Sequence, residues 1–538
     1  MSEPNVPAPA PAAQDEELRA LVFSDADGAK KWAQSLPLTS LALVCETVQG
    51  QLKALSAAAF PARERATIAE VLRDLIAHLH TELARRYAGK GQPAVDRELE
   101  AAEHAIALWQ GLWEQYSACL KPLLESDPEL AGVKPKILQR GAYVGKQLIL
   151  VHGLARRSVP KHIWHELHAY FRLAEMLECA VTSVSDNLMP NAVGISCYST
   201  YVHALLLGLA DPCAMSVKQI ELADRWLAMW ARKVFPYARQ RETEGPVIIV
   251  DLDGGMGAAL VASAPANDSE SFRFGYPAKL ATSVRGRLKR LQTGSNPAEL
   301  QLGHDCSAEQ CTTLLGYLDS RWYMLPRRGP EGPSGPVELC AGGLPAAHFR
   351  VSGRSFDRKD PEKPMSFGEV QQLHAAPPVE DYDRGRVGAE HEWPWERWEG
   401  AVGTREAVVG RSADPLHRWS LDQLAIARVG GRTRVGFVSR VALDGPTDLA
   451  LTLRLWSGVP KAIALRALSA AGSEDAALPA LLLDETPDDK ASLVLPPRTF
   501  NPSRVMRSVD APSERRFRLV RLLQRGIDFE RVAFEETV

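Results

Sequence analysis

Four β-branched residues run into two acids and three glycines at Val247-Ile248-Ile249-Val250-Asp251-Leu252-Asp253-Gly254-Gly255-Met256-Gly257. Two chemistries fit that order. In the first, a carboxylate at a strand end attacks phosphorus, with Asp251 as nucleophile, Asp253 as general acid and Mg²⁺ offsetting the charge. In the second, Asp251, Gly255 and Gly257 shape a tight turn in a small nucleotide-binding barrel. The phosphatase reading needs paired acids after a later buried strand to hold the metal. Asp488-Asp489 instead lies in a Pro-containing stretch, and Gly255 stands where Thr or Val is usual. The nucleotide-binding turn therefore ranks first.

Other clusters carry weaker signals. His162, His165 and His168 flank Glu166, but a helical zinc-protease site needs two His four apart with Glu beside the first. His304, Cys306 and Cys311 lack a second Cys pair elsewhere, so zinc is not expected. Ser352 and Ser412 lie near Gly without a Gly-x-Ser-x-Gly elbow, which leaves a hydrolase triad no foothold. Nine arginines fall between Arg498 and Arg531. Arg suits bidentate phosphate binding, but few aromatics interleave them, so they read first as a solvated face. Trp393-Pro394-Trp395-Glu396-Arg397-Trp398 reads as a loop plugging one barrel end, with ligand stacking as the alternative.

Elements must position these residues. A chain of 538 residues is too long for one core. Its apolar fraction of 45% and charged fraction of 24% are those of a soluble globular protein. A net charge of −3 gives no general attraction to DNA, RNA or membrane surfaces. The longest apolar runs fall far below the roughly 20 residues of a membrane span. Eight scattered cysteines suggest a reduced, cytoplasmic setting. Residues 1–14, rich in Pro and Ala, read as a disordered tail.

From 15 to 240 the pattern is helical. Ile68, Leu72, Leu75, Leu79 and Leu83 make one apolar stripe within a Gly- and Pro-free run from Ala62 to Tyr87. Ser216 and Gln219 form a capping-box pattern. A single Trp164-x-x-Leu167 pattern does not repeat near 34 residues, so a helical repeat array is not expected. Residues 245–350 read as a middle α+β segment and 353–395 as a connector. Short strands broken by Gly, Pro and Asp recur over 396–538, which points to a small barrel.

The turn from Val250 to Leu260 resembles the second signature of PilZ domains, with Asp253 where Ser is usual. Val408-Val409-Gly410-Arg411-Ser412 sits where another such turn would fall. The closing pattern, Leu495 to Arg504 and Leu522 to Glu530, is similar to that of bacterial PilZ-related proteins with a helical N-terminal half. The fold class implied is multidomain α+β: an all-α N-terminal domain, a mixed α/β middle segment that could be a vestigial PilZ-like copy, and a C-terminal PilZ-like barrel with an extension. PilZ domains bind cyclic di-GMP, gripping phosphate and stacking on guanine through arginines that precede the barrel.

The nearest equivalents are Arg321, Arg327 and Arg328, and also Arg405. The resemblance thus implies a cytoplasmic signalling or adaptor protein without enzymatic activity, whose ligand is cyclic di-GMP and whose helical half engages a protein partner. Candidate ligand-binding residues are Arg321, Arg327, Arg328, Asp251, Gly255, Gly257, Arg405 and Ser412. No metal or cofactor beyond that ligand is expected. The alternatives are a nucleotide-independent scaffold and the Mg²⁺-dependent phosphatase.

Overall fold

A computed structural model describes residues 21–37, 39–189, 194–241, 244–264, 269–325, 329–330, 332, 334–354, 356, 393–411, 415–445, 448–468, 476–509 and 515–537. The chain divides into two compact units. One comprises residues 1–90 and 94–327, the other 91–93 and 328–538.

The first unit is built from helices. They are α1 (Ala26–Ser35), α2 (Leu41–Ala57), α3 (Ala62–Tyr87), α4 (Asp96–Ser117), α5 (Leu120–Leu124), α6 (Lys134–Leu154), α7 (Lys161–Met176), α8 (Cys197–Leu209) and α9 (Val217–Trp230). The stripe read from sequence is the buried face of α3, where Ile68, Leu72, Leu79 and Leu83 are inaccessible to solvent. Ser216 caps α9 as its spacing predicts: its Oγ accepts from the Gln219 N–H, and Gln219 Oε1 accepts from the Ser216 N–H at 2.8 Å.

Helix α6 is the centre of this unit. Its residues are buried without a break from Ile137 to Ile149, with α4, α7 and α8 packed around it. A helix enclosed on all sides must satisfy its polar side chains internally. Arg140 does so through Glu70 at 2.8 Å and Asp186 at 2.9 Å. Arg73 on α3 reaches the same Asp186 at 2.8 Å, and Lys146 pairs with Asp224 at 3.0 Å.

Burial alone would raise Glu70, but Arg140, Arg73 and Lys136 outweigh it and hold the carboxyl at about 2, below its ordinary 4.5. A depressed carboxyl stabilises the fold above its unfolded value, and that contribution is lost as pH falls from 4.5 towards 2. Glu70→Gln should therefore lower the melting midpoint most near neutrality. The gap to the unmodified chain should close below pH 4, as a pH series of thermal melts would show.

The middle segment continues the first unit. Strands β1 (Pro236–Tyr237), β2 (Val247–Asp251), β3 (Ala259–Val261) and β4 (Phe272–Gly275) form an antiparallel sheet in the order β1-β4-β2-β3. Helices α10 (Ala278–Gln292) and α11 (Ala308–Tyr323) follow. Ile248, Val250, Leu280, Val284, Leu314 and Leu318 share one core with the N-terminal helices. The boundary therefore falls at 327/328, not near 240. Among the described residues β1 to β4 form a four-stranded sheet and not a closed barrel, so they are no vestigial PilZ-like copy.

The second unit holds two closed barrels where sequence suggests one. The first joins β5 (Ser334–Cys340), β6 (Glu396–Val402), β7 (Glu406–Arg411), β8 (Leu424–Val429), β9 (Arg432–Leu443) and β10 (Leu449–Leu455), in the order β10-β7-β6-β5-β8-β9. The second joins β11 (Pro460–Ala467), β12 (Leu478–Leu483), β13 (Ser492–Leu495), β14 (Val505–Ser508), β15 (Arg516–Arg525) and β16 (Glu530–Thr537), in the order β11-β12-β13-β16-β15-β14. Strand β5 comes from the presumed middle segment, and the short link from Trp456 to Val459 marks no domain break. Helix α12 (Gly343–Ser352) follows β5. Residues 357–392 of the expected connector lie outside the described residues.

Alternation explains the packing of the barrels. Ala480 and Leu482 fill the second barrel, while Leu481 and Leu483 point the other way into a shared joint with Leu344, Ile426, Val435, Trp456 and Phe529. Strands buried on both faces lose the polar half of the period-2 pattern, as in the fully buried β13.

The closing motif read from sequence builds this joint. Asp528 Oδ1 accepts from the Leu424 N–H of the first barrel at 2.8 Å. Ile527 N–H donates to the Asp422 carbonyl at 3.0 Å. A Cβ at Gly526 would stand 2.1 Å from the Phe529 ring and 2.3 Å from the Asp422 carbonyl oxygen, so the hook tolerates no side chain there.

Candidate nucleotide-binding site

The acid- and glycine-rich turn is closed against its own unit. Asp251 leaves β2 and its Oδ1 accepts from the Asp253 N–H at 3.1 Å. Helix α7 brings one face, Lys161, Trp164, His168 and Arg172, onto the turn. Arg172 Nη2 donates to Asp253 at 2.6 Å, and His168 Nε2–H donates to the Met256 carbonyl at 2.8 Å while its Nδ1 accepts from the Tyr201 hydroxyl at 2.8 Å. Burial holds His168 below the ordinary imidazole value, so it serves as a neutral hydrogen-bonding strut.

A Cβ at Gly255 would lie 2.9 Å from Lys161, and one at Gly257 would lie 2.8 Å from the Trp164 ring. Both glycines permit close approach of the helix. The spacing that suggested a nucleotide-binding or phosphatase turn thus has a packing cause. Among the described residues no group of three or more His, Cys, Asp or Glu is placed to hold a metal ion.

Arg321 and Arg405, also singled out by sequence, each have a partner within their own unit. Arg321 on α11 donates through Nε to the Leu209 carbonyl at 3.1 Å and lies 3.6 Å from Asp211, which ties it to the end of α8. Arg405, between β6 and β7, makes an exposed pair with Asp488 at 3.3 Å. Arg327, Arg328 and Ser412 lie outside the described residues.

The Trp-rich stretch differs from a loop plug. Glu396 begins β6, and Trp398 points into the first barrel, edge-on to Trp419 at 6.0 Å between ring centroids. Trp395, one residue before β6, is half-buried on the outside. The guanidinium carbons of Arg350 and Arg428 lie 4.9 and 4.6 Å from its ring centroid.

Arg350 comes from α12, is also 5.2 Å from the Phe349 ring, and donates to the Trp393 carbonyl. Arg428 comes from β8 and pairs with Glu338 of β5 at 2.5 Å. Glu338 faces Arg397 of β6 in register, so Arg397, Glu338 and Arg428 form a row across three adjacent strands. The hydrogen bond from Arg428 draws Glu338 below the ordinary carboxylate range.

This platform holds flat, cationic and aromatic groups together on rigid elements. Guanidiniums grip phosphates bidentately and stack on flat rings, and a tryptophan offers a further stacking face. Three arginines against one carboxylate leave a charge of +2, opposite to that of two phosphodiesters. The stretch singled out by sequence contains Trp395 and Arg397, but Arg350 and Arg428 carry no signal there. Their elements meet only through barrel closure, and no spacing announces that.

Two family matches fall on the chain. Residues 27–236 match the N-terminal domain of the cyclic-di-GMP receptor FimW, and residues 463–537 match the FimW C-terminal beta-barrel domain. No curated protein and no solved structure matches the chain. The first match covers α2 to α9 in full and the second covers nearly all of the second barrel, including the hook at Asp528. With both domains present in order and together spanning more than half of its length, the chain belongs to the FimW family, whose namesake is a cyclic di-GMP receptor.

Proposed function

We propose that this protein is a cyclic di-GMP receptor that reads the dinucleotide on the Arg350–Trp395–Arg428 platform of the first barrel. The family match supports the ligand. The observation that carries the site is the Trp395 ring held beside two guanidiniums, with Arg397 and Glu338 on the adjoining strands. A guanine stacks on this aromatic and guanidinium surface, its N1–H and N2–H edge can donate to a carboxylate such as Glu338, and the arginines take the phosphodiesters. Arg327 and Arg328 precede β5 in sequence by a few residues, as arginines do before PilZ barrels.

In this reading the chain is a signalling protein of the cytoplasm, and the helical unit passes the signal to a protein partner. No helix of the described residues is long and apolar enough to cross a membrane, and all eight cysteines are free thiols.

Charge-assisted hydrogen bonds contribute about 1.5–3 kcal/mol each, or roughly a factor of 10 to 100 in affinity per arginine. Arg350→Ala combined with Arg428→Ala is therefore expected to weaken cyclic di-GMP at least about 100-fold in isothermal titration, with the melting profile retained. Undiminished affinity in that variant would refute the platform as the site, and a combined Arg327→Ala and Arg328→Ala variant tests their contribution in the same way.

A further inference from the structure

We infer that a basic cleft at α10 in the first unit, apart from the barrel platform, is a binding site for the phosphate group of a nucleotide-sized phosphate ester. The cleft has a volume of about 420 Å³ and is lined by Thr282, Ser283, Arg287 and Arg290 of α10 and by Glu299 and Gln301. Lys233 reaches Ser283 from the short turn that follows α9.

The donors are arranged around an unfilled need. Ser283 Oγ accepts from Lys233 Nζ and from Arg287 Nη1, so two cations converge on one neutral hydroxyl. Arg287 is fixed in place by its Nε–H bond to the Leu300 carbonyl at 3.0 Å and by the Trp230 ring, 4.8 Å from its guanidinium carbon. Trp230 is itself buried and stacked on Trp226.

Arg232 and Arg290 add charge at either side. Among the described residues no carboxylate pairs with Lys233, Arg287 or Arg290. Glu299 stands in the lining without an ion pair.

Like charges gathered without a counter-ion repel one another, and an anion that enters relieves the repulsion. Burial, then Arg287 and Arg232, draw Lys233 below the ordinary lysine value, and burial with Arg290 does the same to Arg287. Structural arginines in this unit behave differently. Arg73 and Arg140 are matched to Asp186 and Glu70. A pre-positioned lysine and arginine fork on a rigid helix, with a hydroxyl between them, is the donor set that suits phosphate oxygens.

The test uses the full-length chain with three probes: inorganic pyrophosphate, guanosine monophosphate and cyclic di-GMP. Lys233→Met combined with Arg290→Ala removes two cations at the cost of one side-chain hydrogen bond, Lys233 to Ser283, and Arg287 is left as the structural strut. Pyrophosphate and guanosine monophosphate should bind the unmodified chain and the Arg350→Ala, Arg428→Ala variant alike. They should lose at least about tenfold in affinity in the cleft variant.

Absence of binding by both phosphate probes, or equal binding by the cleft variant, overturns the inference, whatever cyclic di-GMP does. If the simple phosphates depend on Lys233 and Arg290 and cyclic di-GMP is also lost only in the cleft variant, the cleft is upheld and the barrel platform is the reading that fails. If it is lost only in the platform variant while the simple phosphates depend on Lys233 and Arg290, both sites stand.

Discussion

Asp186→Ala is expected to lower the stability of the first unit by about 3–5 kcal/mol, the range seen when one partner of a buried ion pair is removed. The side chain of Asp186 is inaccessible, accepts from Arg73 at 2.8 Å, from Gln139 Nε2 at 3.3 Å and from the Leu188 N–H at 3.0 Å, and is ion-paired with Arg140 at 2.9 Å. Removing it takes one of two carboxylates from the Arg73 and Arg140 guanidiniums and leaves Glu70 to answer both. Their desolvation is then only partly compensated. Asp186→Asn keeps the shape and some hydrogen bonds, so it should fall between the two. Thermal or urea unfolding followed by far-ultraviolet circular dichroism reports the change. A loss below about 1 kcal/mol would place Asp186 with exposed ion pairs and contradict its role as the keystone of α3 and α6.

Phe529→Ala is expected to cost a similar amount, about 3–5 kcal/mol, through a different cause: a large cavity in a packed core. Phe529 is inaccessible to solvent. Its ring centroid lies 5.2 Å from that of Trp456 and 6.3 Å from that of Phe437, so it joins the link between the barrels to β9 of the first. The cavity would open in the joint shared by the two barrels and leave each barrel interior filled. The unfolding of the second unit should therefore separate into two steps, and limited proteolysis should cut between Leu455 and Pro460 in the variant. A single transition shifted by less than about 1 kcal/mol would show that the joint does not depend on this ring.

Much of the fold was legible where one physical rule acts alone. Ala62 to Tyr87 forms a helix over the predicted span because nothing in it interrupts the 3.6-residue period. Leu449–Leu455 alternates cleanly because one face of β10 meets water and the other the barrel core. The family resemblance was likewise readable from the Leu522 to Glu530 pattern, whose residues hook one barrel to the other.

What sequence did not reveal depends on long-range closure. Strand β5 pairs with β6 across more than fifty residues, so its barrel could not be counted from local pattern. Gly255 and Gly257 signalled a special backbone position correctly, but the cause is Lys161 and Trp164 on α7, nearly a hundred residues earlier. Arg350, Trp395 and Arg428 likewise come from a helix, a strand entry and a separate strand. Only the Trp was conspicuous by type.

Calorimetric titration of the unmodified full-length chain with cyclic di-GMP tests the central claim most directly. The account predicts saturable binding of cyclic di-GMP, a rise in melting midpoint, and weakening with salt as the arginine–phosphate contacts are screened. Absence of both heat and thermal shift would contradict it and leave the chain a scaffold that keeps the receptor fold without the ligand.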